Sequence, residues 1–137
     1  MATSTTVIEE TDIYTVEWDA SLDLPVFTWD EYAAGEAFRE GARRWEEIIA
    51  DRNADKYIVN TAGVTAHDDA DKRWLGEEWV PDLIDKGVTR GAGVYADSAI
   101  ASMEMEEVEK QLSSIAPEFE FRAFASNEEA KAWLRDQ

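Results

Sequence analysis

Apolar and polar positions change period several times along the chain, and each change marks an element. From Val7 to Trp18 the composition is that of a strand, with Ile13, Tyr14, Val16 and Trp18 set among polar neighbours. The turn residues "DASLD" at 19–23 follow, and "LPVFTWDEY" resumes the strand pattern with Phe27 and Trp29 alternating. Pro25 places this run at a sheet edge or at the beginning of its strand. Thr28-x-x-Glu31 also fits a capping box, which leaves the strand-to-helix boundary open. Over 36–52, "EAFREGARRWEEIIADR", the residues Phe38, Ala42, Trp45, Ile48 and Ile49 recur at helical spacing, with acids and arginines opposite them. "KYIVNTAGV" is a short β-branched and aromatic run suited to a buried central strand.

The second half repeats the alternation. "HDDADKRWLGEEWVPDLIDKG" reads as a helix in which Leu75, Trp79 and Leu83 share a face, Pro81 forces a kink or restart, and Gly87 suits a C′ cap. In the strand "VTRGAGVYA" two glycines imply close backbone approach. A third helix around 102–115 carries Met105, Val108, Leu112 and Ile115, and Pro117 ends it. "EFEFRAF" alternates cleanly, as a half-exposed strand near a sheet edge does, and Ser126-x-x-Glu129 is a capping box opening the last helix. Five strands and four helices in this order predict an α/β fold: one mixed, largely parallel sheet packed by helices. The expected layout is a loose tail at 1–6 and a single domain over 7–137. A homodimer is a candidate assembly, because the edge strands around Val7–Trp18 and Glu118–Phe124 must be covered or charged.

At 137 residues the chain is long enough to bury roughly two-thirds of its unfolded surface in one core. It has no apolar run of about 18 residues and no basic-then-apolar N-terminus, so neither a membrane span nor a signal peptide is expected. Zero cysteines exclude disulfides, thiolate catalysis and Cys-ligated zinc. Charge alters the picture most: 31 acids face 13 bases, a net −18, and only five of the bases are Lys. The acids are dispersed from Glu9 to Asp136, as on a solvated surface rather than in a block for a cationic partner. At molar salt the Debye length falls to about 3 Å and their mutual repulsion is screened. Dispersed acid with scarce Lys therefore points to a halophile's cytoplasmic protein. Nucleic-acid binding, which rests on clustered Lys and Arg, is disfavoured.

Few residues are candidates for chemistry. "NTAGVTAHDDADKRW", residues 60–74, gathers the sole histidine, His67, with Asp68, Asp69 and Asp71. The set suits a His–Asp general base or a metal. But no nucleophile accompanies it, and one histidine cannot build a zinc site alone. A helix cap, with carboxylates on free N–H groups, accounts for the same residues. No catalytic residue, metal or cofactor is assigned, and an enzyme using His67 is only a distant alternative. Trp79 belongs with the core face, whereas Trp74 lies off that face and is a candidate cleft or dimer contact. Arg39, Arg43 and Arg44 form a basic patch among Glu36, Glu40, Glu46 and Glu47, where intrahelical pairing is the preferred reading over anion binding. Gly91-x-Gly93 lacks the third glycine of a dinucleotide fingerprint. Trp29, Trp79, Ile100 and Met103 are candidates to line an apolar pocket.

The stretches "GEAFREGARRWEEII", "KYIVNTAGVTAHDDADKRWLGEEWVPDLIDKGVTRGAGVYADSAIASM" and "FRAFASNEEAKAWL" together resemble the STAS-like proteins related to the anti-sigma-factor antagonist SpoIIAA, in the branch labelled STAS/SEC14-like. The resemblance spans about residues 12–135 and implies SpoIIAA-like topology. In STAS regulators a phosphorylatable Ser or Thr opens the helix after the strand matching Tyr57–Thr61. Here Asp68 and Asp69 fall about where the Asp-Ser pair would be, and the nearest hydroxyl is Thr65. That departure tells against carrying the phosphorylation switch across. The resemblance implies a non-enzymatic interaction or regulatory module that presents Thr65, His67, Asp68, Asp69, Asp71 and Trp74 to a protein partner. A domain binding an apolar small molecule or lipid between sheet and helices is the alternative.

Overall fold

Thr11 divides what reads as one strand into two. Its Oγ1 accepts hydrogen bonds from the N–H groups of Ile13 and Tyr14 at 3.2 and 3.1 Å. This local turn ends β1 (Thr5–Glu10) before β2 (Tyr14–Asp19) begins. The computed structural model describes residues 5–31, 34–61, 69–95, 99–115 and 119–136, and β1 starts at Thr5, inside the span expected to be a tail. Asp19 makes the next turn, its Oδ1 accepting from the N–H groups of Ser21 and Leu22 at 3.0 and 3.2 Å. β3 (Leu24–Trp29) then pairs antiparallel with β2, Thr15 opposite Thr28. Pro25 sits at the start of this strand, which is interior rather than an edge. The Thr28 capping box is not realised: Thr28 stays in the ladder, paired also with Asn60, and the helix opens at Gly35 instead.

From β3 onward strands alternate with helices. α1 (Glu36–Arg52) leads to β4 (Lys56–Asn60). Next, α2 (Asp69–Trp74), a π-helical turn (Leu75–Trp79) and α3 (Val80–Asp85) run on as one continuous helical body. β5 (Arg90–Val94), α4 (Ala99–Ile115), β6 (Glu120–Phe124) and α5 (Asn127–Arg135) complete the chain. The six strands lie in sequence order in one mixed sheet, antiparallel across β1–β2–β3 and parallel across β3–β4–β5–β6. Both edges carry charge, with Glu9 and Glu10 on β1 and Glu120 and Arg122 on β6.

Period-2 alternation deals the side chains to two faces. Tyr14, Val16, Phe27, Trp29, Tyr57 and Phe121 face the layer formed by α1, the α2–α3 body and α4. Leu24, Val26, Ile58, Ala92 and Val94 face the other way, against Ala130 and Leu134 of α5. Local chemistry closes the helices as their sequences indicate. Ser126 Oγ accepts from the Glu129 N–H at 3.2 Å, while the Glu129 carboxylate reaches back to the Ala125 N–H at 3.3 Å. Gly87, at φ +98°, ends α3 in a Schellman motif: its N–H bonds to the Ile84 carbonyl and that of Val88 to Leu83.

Gly91 shows why β5 needs a glycine at that position. A Cβ there would lie 2.6 Å from Tyr57 Cζ and 2.8 Å from its Oη. The Tyr57 ring has nowhere to go, stacked on Phe119 at 6.3 Å and meeting Trp79 edge-on at 5.5 Å. Gly91→Ala is expected to lose about 1–3 kcal/mol of stability through overpacking, read as a lower urea midpoint at unchanged m-value.

Candidate functional site

Among the concavities beside α1 are a polar one on its outer side and an apolar one beneath it. The outer groove, about 1100 Å3, runs along α1 beside the α2–α3 body and is lined by Arg39, Arg43, Arg44, Lys86, Trp74 and the glutamates of α1. Its cations are held in place. Arg43 Nη1 donates to Glu46 at 2.6 Å and to Asp82 across the helix contact at 2.5 Å, and these bonds raise its already high pKa further. Lys86 Nζ donates to the buried Glu46 carboxylate at 2.8 Å, which likewise raises the lysine. Arg44 pairs with Glu9 of β1 at 2.9 Å and with Glu47 at 3.4 Å. The arginine–glutamate pairing expected within α1 is therefore present, and ties to β1 and α3 add to it.

Trp74, a candidate cleft or dimer contact by its spacing, lines this groove but shows little of its ring to solvent. It is 7% exposed, edge-on to Phe38 at 6.4 Å, with the guanidinium carbons of Arg39 and Arg43 over its ring at 5.6 and 5.1 Å. The cause is the π turn. In a regular α-helix Trp74 and Trp79 lie on different faces; here the Val80 N–H bonds to Leu75, five residues back, so the turn is one residue longer. Two tryptophans five apart are thereby brought to the buried side. Pro81, which lacks an N–H and sits just after this turn, was the signal in the sequence.

Asp71 is also a correction. It is 1% exposed and presents nothing to a partner; its Oδ2 accepts from the N–H of Gly35, the residue capping α1, at 2.9 Å. Arg39 Nε lies 3.6 Å from its Oδ1. Carboxylate and helix-cap chemistry do meet here, but the aspartate on α2 serves the start of α1. Asp71→Ala, which removes the carboxylate that accepts from the Gly35 N–H at the start of α1, is expected to cost about 0.5–2 kcal/mol in urea denaturation. Of the remaining surface residues, Thr65, His67 and Asp68 lie outside the described residues, and of Asp69 only the backbone is described, opening α2.

The apolar cavity lies between the sheet and the helices, with a volume of about 60 Å3. Trp29 and Trp79 line it, as expected of them, together with Trp45, Val59, Thr61, Leu75 and Val108. Trp79 is fixed by a 2.7 Å hydrogen bond from its indole N–H to the Ala42 carbonyl. Met103 does not belong to this cavity, being 64% exposed on α4, and the Ile100 side chain lies outside the described residues. Burial pushes the Tyr57 hydroxyl, at the cavity wall, well above its ordinary range.

Comparison with family models, curated proteins and solved structures finds no match. Among the described residues no group of three or more His, Asp or Glu side chains is placed to hold a metal ion. No described helix is long and apolar enough to cross a membrane.

Proposed function

We propose that this chain is a non-enzymatic protein-interaction or regulatory module of the STAS/SpoIIAA-like type, working in a high-salt cytoplasm. The observation that carries the reading is the groove along α1. Arg39, Arg43 and Lys86 are held by Trp74, Asp71, Glu46 and Asp82 in an open, mixed-charge trough of about 1100 Å3. Fixed charges over a broad shallow surface suit the polar rim of a polypeptide partner better than the enclosed contact a small substrate needs. One mixed sheet packed by helices is the α/β class that the resemblance implies, although fold alone does not specify function. Trp74, the last residue of α2 and one of the surface residues expected from the sequence, lines this groove.

The apolar-ligand alternative rests on the cavity beneath α1, and its lipid form fits poorly. Drug-sized and larger ligands occupy roughly 300–1000 Å3, and this cavity is about 60 Å3.

A photo-crosslinking residue at Glu40, exposed on the groove, is expected to give a discrete adduct in native extract at molar salt, with none from Glu107 on α4. Adding Asp69→Lys to the Glu40 probe should abolish the adduct while circular dichroism stays unchanged. Equal labelling from both positions, or an adduct indifferent to Asp69→Lys, would refute the docking surface.

A further inference from the structure

We infer that β6 is a self-pairing edge: two copies of this chain join through it as antiparallel strands about a twofold axis at Phe121, which sets Glu120 of each copy opposite Arg122 of the other. No residue lining the α1 groove takes part, so this inference stands or falls apart from the docking surface.

β6 ends the sheet, with β5 on one side and no described strand on the other. Successive residues of a strand turn their N–H and C=O groups to opposite sides, and the bonds at the two ends of β6 fix which residues face inward. The Glu120 N–H reaches the Thr89 carbonyl at 3.0 Å, and the Phe124 carbonyl accepts from the Tyr95 N–H at 3.1 Å. Glu120, Arg122 and Phe124 therefore bond to β5, while Phe121 and Ala123 turn both backbone groups outward. Among the described residues no partner takes those outward groups. Such an edge is a template for a further strand.

The side chains select which strand that is. A twofold that pairs two identical edges antiparallel keeps each sheet face on its own side, so the pairing centres on a residue. Centred on Phe121, it lets Phe121 exchange two bonds with its own copy and brings Ala123 opposite Phe119. Glu120 and Arg122 then fall in the close, non-hydrogen-bonded positions where cross-strand side chains touch, and opposite charges meet twice. Centred on Arg122, the axis would set like charges face to face. Centred on Ala123, it would pair Phe121 with Ala125, whose N–H already bonds the Glu129 carboxylate at 3.3 Å. Arg122 is exposed, lies over Trp133 at 5.7 Å and forms no ion pair with a described carboxylate. The Glu120 side chain is 46% exposed beside its 3.2 Å contact with Arg90, which leaves an oxygen for a second cation. β1, the other edge, is unsuited: its ladder is interrupted between Val7 and Glu9, and its two glutamates meet no cation within the strand. Two bodies of net −18 repel at long range, which molar salt screens, whereas pairs partly buried in the new contact are screened less. A five-residue edge is small beside a permanent interface, so the association is weak and concentration-dependent.

The test is sedimentation equilibrium of the full chain in about 3 M KCl, up to about 1 mM protein. The unaltered chain is expected to dimerise reversibly. Ala123→Pro removes an outward N–H without touching the ladder to β5, as an edge strand tolerates, and should give a monomer with unchanged circular dichroism. Arg122→Glu and Glu120→Arg each set like charges opposite, and each alone should dimerise at least about tenfold more weakly. Mixed together they should pair, because one copy then offers two acids and the other two bases at the facing positions. Should Ala123→Pro unfold, the mixing experiment decides alone. A chain monomeric over the whole range would overturn the inference. So would a dimer indifferent to Ala123→Pro, or charge-reversed copies that self-associate undiminished or fail to pair when mixed.

Discussion

Trp45→Ala is expected to cost about 3–5 kcal/mol, the range for emptying a tryptophan site in a packed core. Against a total domain stability of about 5–15 kcal/mol, that removes a large share of the fold. The size follows from position. Trp45 stacks on Phe27 at 4.5 Å with the rings 3° from parallel, meets Trp29 at 4.5 Å, and stands edge-on to Tyr14 at 5.5 Å. One side chain thus joins α1 to β2 and β3, and each aromatic pair adds about 0.5–1.5 kcal/mol beyond area burial. Trp45→Phe should cost much less, because it keeps an aromatic ring over Phe27 and gives up no hydrogen bond to the described residues. Trp79→Phe, by contrast, breaks the bond to the Ala42 carbonyl that anchors the π turn to α1. Urea denaturation of the three variants checks the ranking. A loss below about 1 kcal/mol for Trp45→Ala would mean that this aromatic layer does not carry the fold.

What the residues reveal without coordinates depends on how local the deciding interaction is. The bounds of α1 follow from a helical apolar stripe, and the Gly87 and Ser126 caps act over three to five residues, so both are legible. The α/β class follows from alternating strands and helices, and the parallel half of the sheet forms as that alternation predicts, whereas the order of the strands is set by their packing. The β1–β2 hairpin is not legible: Thr11 favours a strand by composition, yet its hydroxyl makes a turn. Thr28-x-x-Glu31 satisfies a capping signature that loses to two neighbouring strands. In the candidate site the failures are of longer range. Asp71 is decided by Gly35, 36 positions away, and Trp74 by one extra residue in a π turn. The Trp45 N–H, without a hydrogen-bond partner among the described residues, leaves no mark in a sequence at all.

Raising KCl from about 0.1 M to 3 M is expected to increase the unfolding midpoint steeply, with most of the rise below about 1 M, where the Debye length shrinks from about 10 to 3 Å. Two like charges 10 Å apart repel by about 0.4 kcal/mol in water. A net −18 on a body of roughly 14 Å radius of gyration contains many such pairs. Salt also weakens favourable pairs, so the sign depends on which acids are paired. Among the described residues the buried ones are: Asp19 with Lys131 at 3.0 Å, Glu46 with Arg43 and Lys86, and Asp71 with Arg39. Burial shields these from salt. Exposed pairs such as Arg44–Glu47 and Arg90–Glu120 are within its reach, but each is worth only about 0–1 kcal/mol. Screening of the repulsion therefore wins. Replacing Glu36, Glu40, Glu77, Glu78, Asp85 and Glu107, all exposed, by their amides removes six of the 18 net negative charges and should flatten the salt dependence. A midpoint indifferent to KCl, or an equally steep slope in the amide variant, would show that the acidic surface is not what high salt relieves.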